Sequence, residues 1–187
     1  MFAWDEVHDE AFEKTKAVLL SAPVLAAFSV TAPTTLHTDA SRLKGLGYVI
    51  TQVQEGQERL IQCGSRFLSP AETRYAVPEL ELLAVAWAAN KARLLLQGKR
   101  DVALVVDHRP LVPIVNEYTL DKVTNPRMQR LLEKLAPFHF VARYCPGKQH
   151  FAPDALSHHP VAKPSIADLL AEAQVEDGAR HAVVAAI

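Results

Sequence analysis

Four acidic side chains lie at the ends of core segments or inside them, where a folding chain rarely places a charge. Asp39 and Asp107 each end an extended run of β-branched or apolar residues. Glu81 lies within an apolar helical segment, and Asp154 opens a short turn. Charged groups are almost never fully buried unless they are paired or hold a metal ion. No obvious basic partner stands beside each acid, so the pattern predicts a shared cation and is typical of a metal-dependent nuclease.

Carboxylates in such a set have a definite chemistry. Hydrolysis of a phosphodiester requires an activated water and a stabilised alkoxide, and two metal ions about 4 Å apart can supply both. Hard oxygen ligands suit magnesium. Considered singly, an aspartate at a strand end is more often a turn residue, and Asp154 alone could be a helix N-cap. Glu81 is harder to explain in this way, because an unpaired acid in an apolar helix has no structural role.

The composition permits one ordinary domain with flanking segments, because 49% of the 187 residues are apolar. The formal net charge is -1, so any binding of nucleic acid must depend on a local basic face. Cys63 and Cys145 show no CxxC pattern, which indicates inert, reduced thiols. No apolar run is long enough to span a membrane, and the acidic N-terminus is unlike a secretory signal.

Hydrophobic periodicity predicts the order β-β-β-α-β-α-α-β-α after an amphipathic helix, which is typical of a mixed sheet covered by helices. The expected strands are 34–40, 45–53, 59–67, 101–106 and 138–144, and the expected helices are 4–20, 78–96, 109–116, 124–136, a short one from 154, and 165–173. The first three strands should form an antiparallel meander with a turn at 55–57. Ser69 and Glu72 have the spacing of a capping box. Residues 80–89 are apolar on every side apart from Glu81, which indicates a helix buried all round.

Five stretches, in order along the chain, resemble the ribonuclease H domain of gypsy-type LTR-retrotransposon reverse transcriptases. They are HTDAS at 37–41, SRFLSPAE at 65–72 with Tyr75, ELELLA at 79–84, VDHRPL at 106–111, and YCPG at 144–147 with DALS at 154–157. Each motif alone is weak, but five in order with the family's spacing are a strong signal. The resemblance covers roughly residues 2–158 and includes an N-terminal segment similar to the end of the polymerase connection.

The resemblance implies an α/β (α+β) ribonuclease H-like fold, with a five-stranded mixed sheet flanked by helices. It implies that the catalytic and metal-binding residues are Asp39, Glu81, Asp107 and Asp154. They would hold two Mg²⁺ ions, for which Mn²⁺ can substitute. The implied activity is endonucleolytic cleavage of the RNA strand of RNA–DNA hybrids during reverse transcription. The implied partners are the hybrid and a reverse transcriptase polymerase domain, in cis or as a subunit, in the cytoplasm or within virus-like particles and without a membrane.

The resemblance also divides the chain and assigns roles. Residues 1–30 would be a helix and tether from the polymerase connection, 31–160 the ribonuclease H domain, and 161–187 a tail with a short helix. Glu81 rather than Glu79 matches the family's Glu-Leu-x-Ala pattern, while Glu79 suits the dipole of the first helical turn. Asp39 is expected to bridge the ions, with Glu81 and Asp107 on one and Asp154 on the other.

Substrate contacts are expected at four further residues, which are Arg66, Arg74, Tyr144 and His150. The two arginines belong to a basic group around the long helix, for which a solvated face is the alternative explanation. Tyr144 could equally be a strand aromatic with a polar tip. His150 stands where the family commonly has Asn, and the alternative is an exposed loop histidine.

Three positions depart from the family pattern: Val106 replaces Thr, Pro153 replaces Ala, and His158 replaces the Arg that usually follows Ser157. Pro153 fixes its own φ and has no N–H, so it bears on the setting of Asp154. His158 and the next residue are interpreted as solvated tail, because no zinc-like spacing is present.

Two other functions stay open beside the nuclease. One is a catalytically silent, retroelement-derived module that binds hybrid or supports a polymerase subunit, although four intact acids argue against it. The other is a related nuclease or transposase of the same fold, against which the position of Glu81 between the first two aspartates argues.

Overall fold

The computed structural model describes residues 5–20, 25–100, 102–161 and 163–164. Its strands are β1 Thr34–Ala40, β2 Gly45–Gln54, β3 Gln57–Phe67, β4 Val102–Val106 and β5 Phe140–Tyr144. Its helices are α1 Glu6–Leu20, α2 Val77–Lys91, α3 Arg93–Leu96, α4 Leu111–Asn116, α5 Pro126–Leu135 and α6 Phe151–His158. Single 3-10 turns occupy Glu72–Arg74, Leu120–Lys122 and Gly147–Gln149.

The five strands form one mixed sheet with the order β3-β2-β1-β4-β5. The first three strands are an antiparallel meander, whereas β4 and β5 continue the sheet parallel to β1. At the turn between β2 and β3, Glu55 (φ 53°) and Gly56 (φ 75°) are both left-handed, as a two-residue hairpin requires. The predicted mixed sheet is confirmed, and each strand end lies within two residues of its expected position.

The two faces of the sheet hold different helices. On β2, the ring of Tyr48 meets Trp87 of α2 edge-on, with 5.3 Å between centroids. The preceding residue, Gly47, faces α6, where an added Cβ would lie 2.5 Å from the carbonyl oxygen of Pro153. Neighbouring residues of a strand point to opposite faces. Therefore α2 and α6 cover opposite faces, and the central strand β1 lies between them.

The central helix α2 is buried on nearly every side, as its sequence predicts. The expected single helix 78–96 is wrong in one respect, because the chain leaves helical geometry at Ala92 (φ -98°, ψ 20°) before α3 begins. The break carries Leu96 into the core, while Leu94 is 99% exposed. Alanine is the strongest helix former, so the local sequence contains no signal for this break.

The structure describes only some of the helices expected near the two ends of the chain. The predicted helix 4–20 is α1, and α6 begins three residues before Asp154. The expected helix 165–173 lies outside the described residues. Before β1, Leu25 forms an isolated parallel bridge with Leu60 of the edge strand β3, and the Ala26 N–H donates to Leu60 O at 3.0 Å. Among the described residues, none of the helices combines the length and apolar character needed to cross a bilayer.

Candidate metal centre

Asp39 and Asp107 meet at one edge of the sheet. Asp39 is the penultimate residue of β1, and Asp107 directly follows β4. The two strands are parallel neighbours, with Thr38 paired to Val106. Their carboxyl ends therefore lie side by side, and the sheet alone brings these two acids together.

Glu81 reaches the same place from α2. One carboxylate oxygen each from Asp39, Glu81 and Asp107 lies within 4.8 Å of the other two. Among the described residues, no basic side chain forms an ion pair with any of the three. Three carboxylates thus converge without an ion-paired basic side chain in the described part of the chain.

Glu81 is the most deeply perturbed of these acids. It is 4% exposed, and its Oε2 has no hydrogen-bond partner among the described residues. Burial, reinforced by the charges of Asp107 and Asp39, raises the pKa of Glu81 to about 9, although the Ala40 N–H acts in the opposite direction. A buried carboxylate oxygen that lacks a partner is an atom that a bound cation would satisfy.

Asp39 is buried and held by a hydroxyl group. The Oγ of Ser157 donates a hydrogen bond to Asp39 Oδ2. Burial raises the pKa of the Asp39 carboxyl, the Ser157 hydrogen bond opposes this, and the charges of Asp107 and Asp154 add to the rise. The charge of His150 also opposes the rise, but the net direction of the pKa of Asp39 is upward, chiefly because the carboxyl is buried.

Asp154 is brought to Asp39 by the close approach of α6 to β2. A Cβ on Gly47 would lie 2.5 Å from Pro153 O and 2.6 Å from Ser157 N, so a side chain there would push the helix away. Pro153 lies in the first turn of α6, where a missing N–H breaks no helical hydrogen bond. The family departure at this position therefore leaves the helix intact and Asp154 in place.

A second group of ligand atoms forms on α6. Asp154 and His158 are one helical turn apart, with 3.3 Å between Asp154 Oδ1 and His158 Nδ1. A ligand atom of each lies within 4.8 Å of the other and of an Asp39 oxygen. Asp39 thus belongs to both groups and joins the four sequence-predicted acids around itself. The roles expected for each acid stay predictions.

His158 was missed by the sequence interpretation, which assigned it to a solvated tail. The signal that could have found it is its spacing of four residues from Asp154 on a helix, which places the two side chains on one face. Ser157 was also missed as a partner of Asp39. Its side chain is fully buried, and nothing in the local sequence indicates a contact with a residue 118 positions earlier.

Glu79, the alternative to Glu81, has structural partners instead. Its Oε2 accepts from the Ala76 N–H at 2.8 Å, and its Oε1 accepts from Asn125 Nδ2 at 2.8 Å and Arg127 Nη1 at 2.9 Å. Burial acts to raise the pKa of Glu79, but the hydrogen bonds from Asn125 and Ala76 and the Arg127 charge hold it below its usual value. Glu79 therefore caps α2 and joins it to α5.

The expected contact of Arg66 with the substrate is wrong. Its side chain is 3% exposed, and Nη1 and Nη2 donate to the two carboxylate oxygens of Glu72 at 2.7 and 2.6 Å. Glu72 also accepts from the Ser69 N–H at 2.8 Å, in the capping geometry that the sequence predicts, although only a 3-10 turn follows. A guanidinium that is buried and paired in this way cannot contact a nucleic acid.

Both expectations for His150 are wrong. The side chain is buried, so it is neither a substrate contact nor an exposed loop histidine. It is 2% exposed, and its Nε2 lies 2.9 Å from the carbonyl oxygen of Thr38. Tyr144, by contrast, is 45% exposed at the end of β5 beside the cluster, with the Arg109 guanidinium 5.8 Å from its ring centroid. Arg74 is also exposed. Substrate contacts by Tyr144 and Arg74 stay predictions.

Comparison with known proteins identifies relatives of this chain. A family model described as the RNase H-like domain found in reverse transcriptase matches residues 4–103, which include Asp39 and Glu81. The Pol polyprotein of the Drosophila melanogaster transposon gypsy is 36% identical over 155 residues, which are 82% of this chain and 14% of the polyprotein. That of the transposon opus is 32% identical over 156 residues, 83% of this chain and 15% of the polyprotein. The chain spans about one seventh of the length of these relatives.

Solved structures share the fold. A foamy viral protease–reverse transcriptase in complex with double-stranded DNA has a TM-score of 0.56 at 17% identity, over 77% of this chain and 30% of that one. The N-terminal RNase H domain of a Mycobacterium tuberculosis protein has a TM-score of 0.51 at 14% identity, over 67% of this chain and 91% of that one. Likeness at such low identity shows the fold alone, and it confirms the expected ribonuclease H fold. The matched family model and the gypsy-type relatives show that this chain belongs to the RNase H-like domain family of retrotransposon reverse transcriptases.

Proposed function

We propose that this chain is a metal-dependent endonuclease that hydrolyses the RNA strand of RNA–DNA hybrids during reverse transcription. The observation that carries the proposal is the convergence of Asp39, Glu81 and Asp107, with a buried Glu81 oxygen that has no partner among the described residues. Like charges repel and buried acids are costly, so a fold gains nothing from this arrangement by itself. Divalent cations offset both costs.

The donor atoms fit magnesium-type ions. The carboxylate oxygens are hard ligands, and Glu81 Oε2 lies in the interior without a hydrogen-bond partner among the described residues. Asp39, Glu81 and Asp107 would hold one cation, and Asp39 with Asp154 a second. When bound, such a pair of ions activates a water and stabilises the leaving alkoxide. Mg²⁺ is the proposed ion, and Mn²⁺ is expected to substitute.

The protein holds these carboxylates in position and leaves one side of the site open to a large substrate. Ser157 donates to Asp39, and its Oγ also lies 3.0 Å from Asp154 O, so one hydroxyl links β1 to the first turn of α6. The Asp154 side chain is 53% exposed, whereas Asp39 and Glu81 are buried. The centre is therefore anchored on its Glu81 side and open to solvent on its Asp154 side.

A hybrid substrate requires local positive charge, since the formal net charge of the chain is -1. The turn between β1 and β2 begins two residues after Asp39 and offers two exposed cations, Arg42 and Lys44. Neither forms an ion pair within the described ranges. Together with Arg74 and Tyr144 they are the proposed contacts to the nucleic acid. Selection of the RNA strand would come from its 2′-hydroxyl groups.

The setting of the activity is part of the proposal. The curated relatives are polyproteins several times longer than this chain, which supports a partnership with a polymerase domain in cis or as a subunit. Reverse transcription in the cytoplasm or inside virus-like particles is the proposed location.

The test is a cleavage assay on labelled RNA–DNA hybrid with Mg²⁺, comparing the wild type with Asp107→Asn. Asp121→Asn is the matched control, because Asp121 is an exposed acid on a 3-10 turn outside the cluster. We expect cleavage by the wild type and the control and a loss of about a hundredfold or more in Asp107→Asn. Chelation of the metal should abolish cleavage in all three.

A binding measurement on the same hybrid separates the alternatives. Tight binding without cleavage, repeated after addition of the upstream polymerase domain, would support the catalytically silent module and overturn the nuclease. Equal cleavage by the wild type and Asp107→Asn would show that the carboxylate cluster does not take part in the reaction.

A further inference from the structure

The last turn of α6 places an imidazole beside the carboxylate centre. His158 and Asp154 project from one face of the helix, and a ligand atom of each lies within 4.8 Å of an Asp39 oxygen. The side chains of Asp154 and His158 are 53% and 43% exposed, so ions and water can reach them. This group combines two carboxylates with a nitrogen donor.

The position of the group indicates a cation rather than a chance cluster. It shares Asp39 with the buried set in which Glu81, 4% exposed, has an oxygen without a hydrogen-bond partner among the described residues. Buried polar atoms in folded proteins almost always have partners. The exception at Glu81 therefore points independently to a missing ligand at the buried group, with which the Asp154–His158 group shares Asp39.

Three contacts hold the end of α6 in position relative to Asp39. Ser157 donates to Asp39, and α6 touches the backbone of Gly47 directly. Beyond the helix, the Val161 N–H donates to Ser65 Oγ on β3 at 3.1 Å. These contacts hold the backbone of His158 near Asp39. On the ring, Nδ1 lies 3.0 Å from the Asp154 carbonyl oxygen and 3.3 Å from Asp154 Oδ1.

A nitrogen donor changes which ion a site prefers. Carboxylate and water ligands suit Mg²⁺, whereas imidazole favours the later divalent transition ions. We infer that His158 is a ligand of the cation held between Asp39 and Asp154, and that it shifts this position from Mg²⁺ towards divalent transition ions. The inference rests on the proposed function only in requiring that the carboxylate centre binds cations. It does not require that the centre cleaves RNA.

The first test is pulsed electron paramagnetic resonance of the full chain loaded with Mn²⁺, which detects an imidazole nitrogen bound to the ion. We expect nitrogen coupling in the wild type, its loss in His158→Gln, and its retention in His159→Gln. His159 is the matched control, because it is the exposed next residue and does not belong to the cluster. Coupling that persists in His158→Gln, or Mn²⁺ that binds the wild type without nitrogen coupling, overturns the inference.

The second test is the ratio of Co²⁺ to Mg²⁺ affinity, measured by calorimetry on the same three proteins. His158→Gln should lower the ratio by about tenfold or more, and His159→Gln should leave it unchanged. Circular dichroism establishes that each variant is folded. If the wild type shows nitrogen coupling but cleaves no hybrid, the nuclease proposal fails and this inference stands. If it binds no divalent ion, both fail.

Discussion

Glu81 is a carboxyl group held away from water beside two other acids. Burial and the charges of Asp107 and Asp39 raise its pKa from 4.5 to about 9. In the metal-free protein, the folded state keeps a proton that the unfolded chain releases above pH 4.5. The folded state binds more protons across this window, so stability should fall as the pH rises from 4.5 to about 9.

The substitution Glu81→Gln should remove this pH-dependent cost, because glutamine carries no charge at any pH. We expect the free energy of unfolding of the metal-free variant to exceed that of the wild type by about 2–4 kcal/mol at pH 8 and by no more than about 1 kcal/mol at pH 5. Urea denaturation in chelator at the two pH values measures both. Added Mg²⁺ should raise the Tm of the wild type by more than that of the variant, which keeps only the cation position between Asp39 and Asp154. A wild type more stable than Glu81→Gln at pH 8 without metal would contradict the electrostatic argument.

The Arg66–Glu72 pair makes a different residue-level prediction. Arg66→Met should lower the free energy of unfolding by about 3–5 kcal/mol, because it leaves the buried Glu72 carboxylate without its partner. The double variant Arg66→Met with Glu72→Leu should recover most of the loss. Trp87 lies 5.5 Å from the Arg66 guanidinium, so its fluorescence can follow unfolding. Unchanged stability with weakened hybrid binding in Arg66→Met would restore Arg66 as a substrate contact.

Local sequence could indicate which side chains carry chemistry but not which residues they meet. Glu81 is conspicuous because residues 80–89 of its helix are otherwise apolar, and the structure places it in the cluster. His150 gives no such signal. Its partner, the Thr38 carbonyl, is 112 residues away, and burial that depends on so distant a contact leaves no local pattern.

At the level of elements, the contact between α6 and β2 decides where Asp154 stands. The helix lies so close to the strand that a Cβ on Gly47 would overlap backbone atoms of Pro153 and Ser157. Ser157 in turn holds Asp39, so one packing contact sets the distance between two proposed ligands.

Gly47→Ala should therefore impair the site more than the fold. We expect α6 to shift from the sheet at a cost of about 1–3 kcal/mol in unfolding free energy, with hybrid cleavage reduced about tenfold or more. Amide hydrogen exchange in α6 should become faster. Gly56→Asn is the control, because no described residue other than its chain neighbours has a heavy atom within 4 Å of the Cβ position, and asparagine tolerates the φ of +75°. Wild-type cleavage and exchange in Gly47→Ala would contradict this prediction, because α6 would then accept the added Cβ without being displaced.

Strands and helices were predictable to different degrees for a physical reason. Strand ends follow from alternation and turn residues, and Gly56 marks the β2–β3 turn with a conformation that few other residues adopt. The break at Ala92 follows from packing, since it carries Leu96 into the core while the preceding residues would favour a continuous helix.

For the whole molecule, the order of elements together with the resemblance was sufficient to predict the mixed sheet. The parallel pairing of β1 with β4 then forces Asp39 and Asp107 to one edge, so that half of the candidate site follows from topology. The other half depends on how α2 and α6 pack on opposite faces. Helix packing is set by side chains distant in sequence, which is why the contacts of Ser157 and His158 were not foreseen.

The contacts of the segment before β1 bear on where the folded domain begins. The boundary expected at residue 31 stays a prediction, but the contacts of the preceding segment favour an earlier start. The buried Gln52 accepts from the Ser29 N–H at 2.8 Å and donates to Ser29 O at 2.7 Å. Ala26 bonds to the edge of β3, and Lys99 Nζ donates to Val30 O at 2.6 Å. Residues 25–30 are thus joined by hydrogen bonds to β2, to the edge strand β3 and to Lys99.

Truncation measures what the hydrogen bonds of residues 25–30 contribute to the free energy of unfolding. A chain that starts at residue 25 loses α1, whose Val7 and Phe12 are 71% and 51% exposed, and should unfold at nearly the same urea concentration as the full chain. A chain that starts at residue 31 leaves the buried amide of Gln52 without the Ser29 backbone, and its unfolding free energy should be lower by about 1–3 kcal/mol. Both truncated chains retain Trp87 as their one tryptophan, so the same fluorescence signal reports on each. Equal stability of the two would show that the contacts of residues 25–30 are peripheral and would support a domain that begins at 31. A lower stability only in the shorter chain would instead make the segment part of the fold that holds β1, and Asp39 with it, in place.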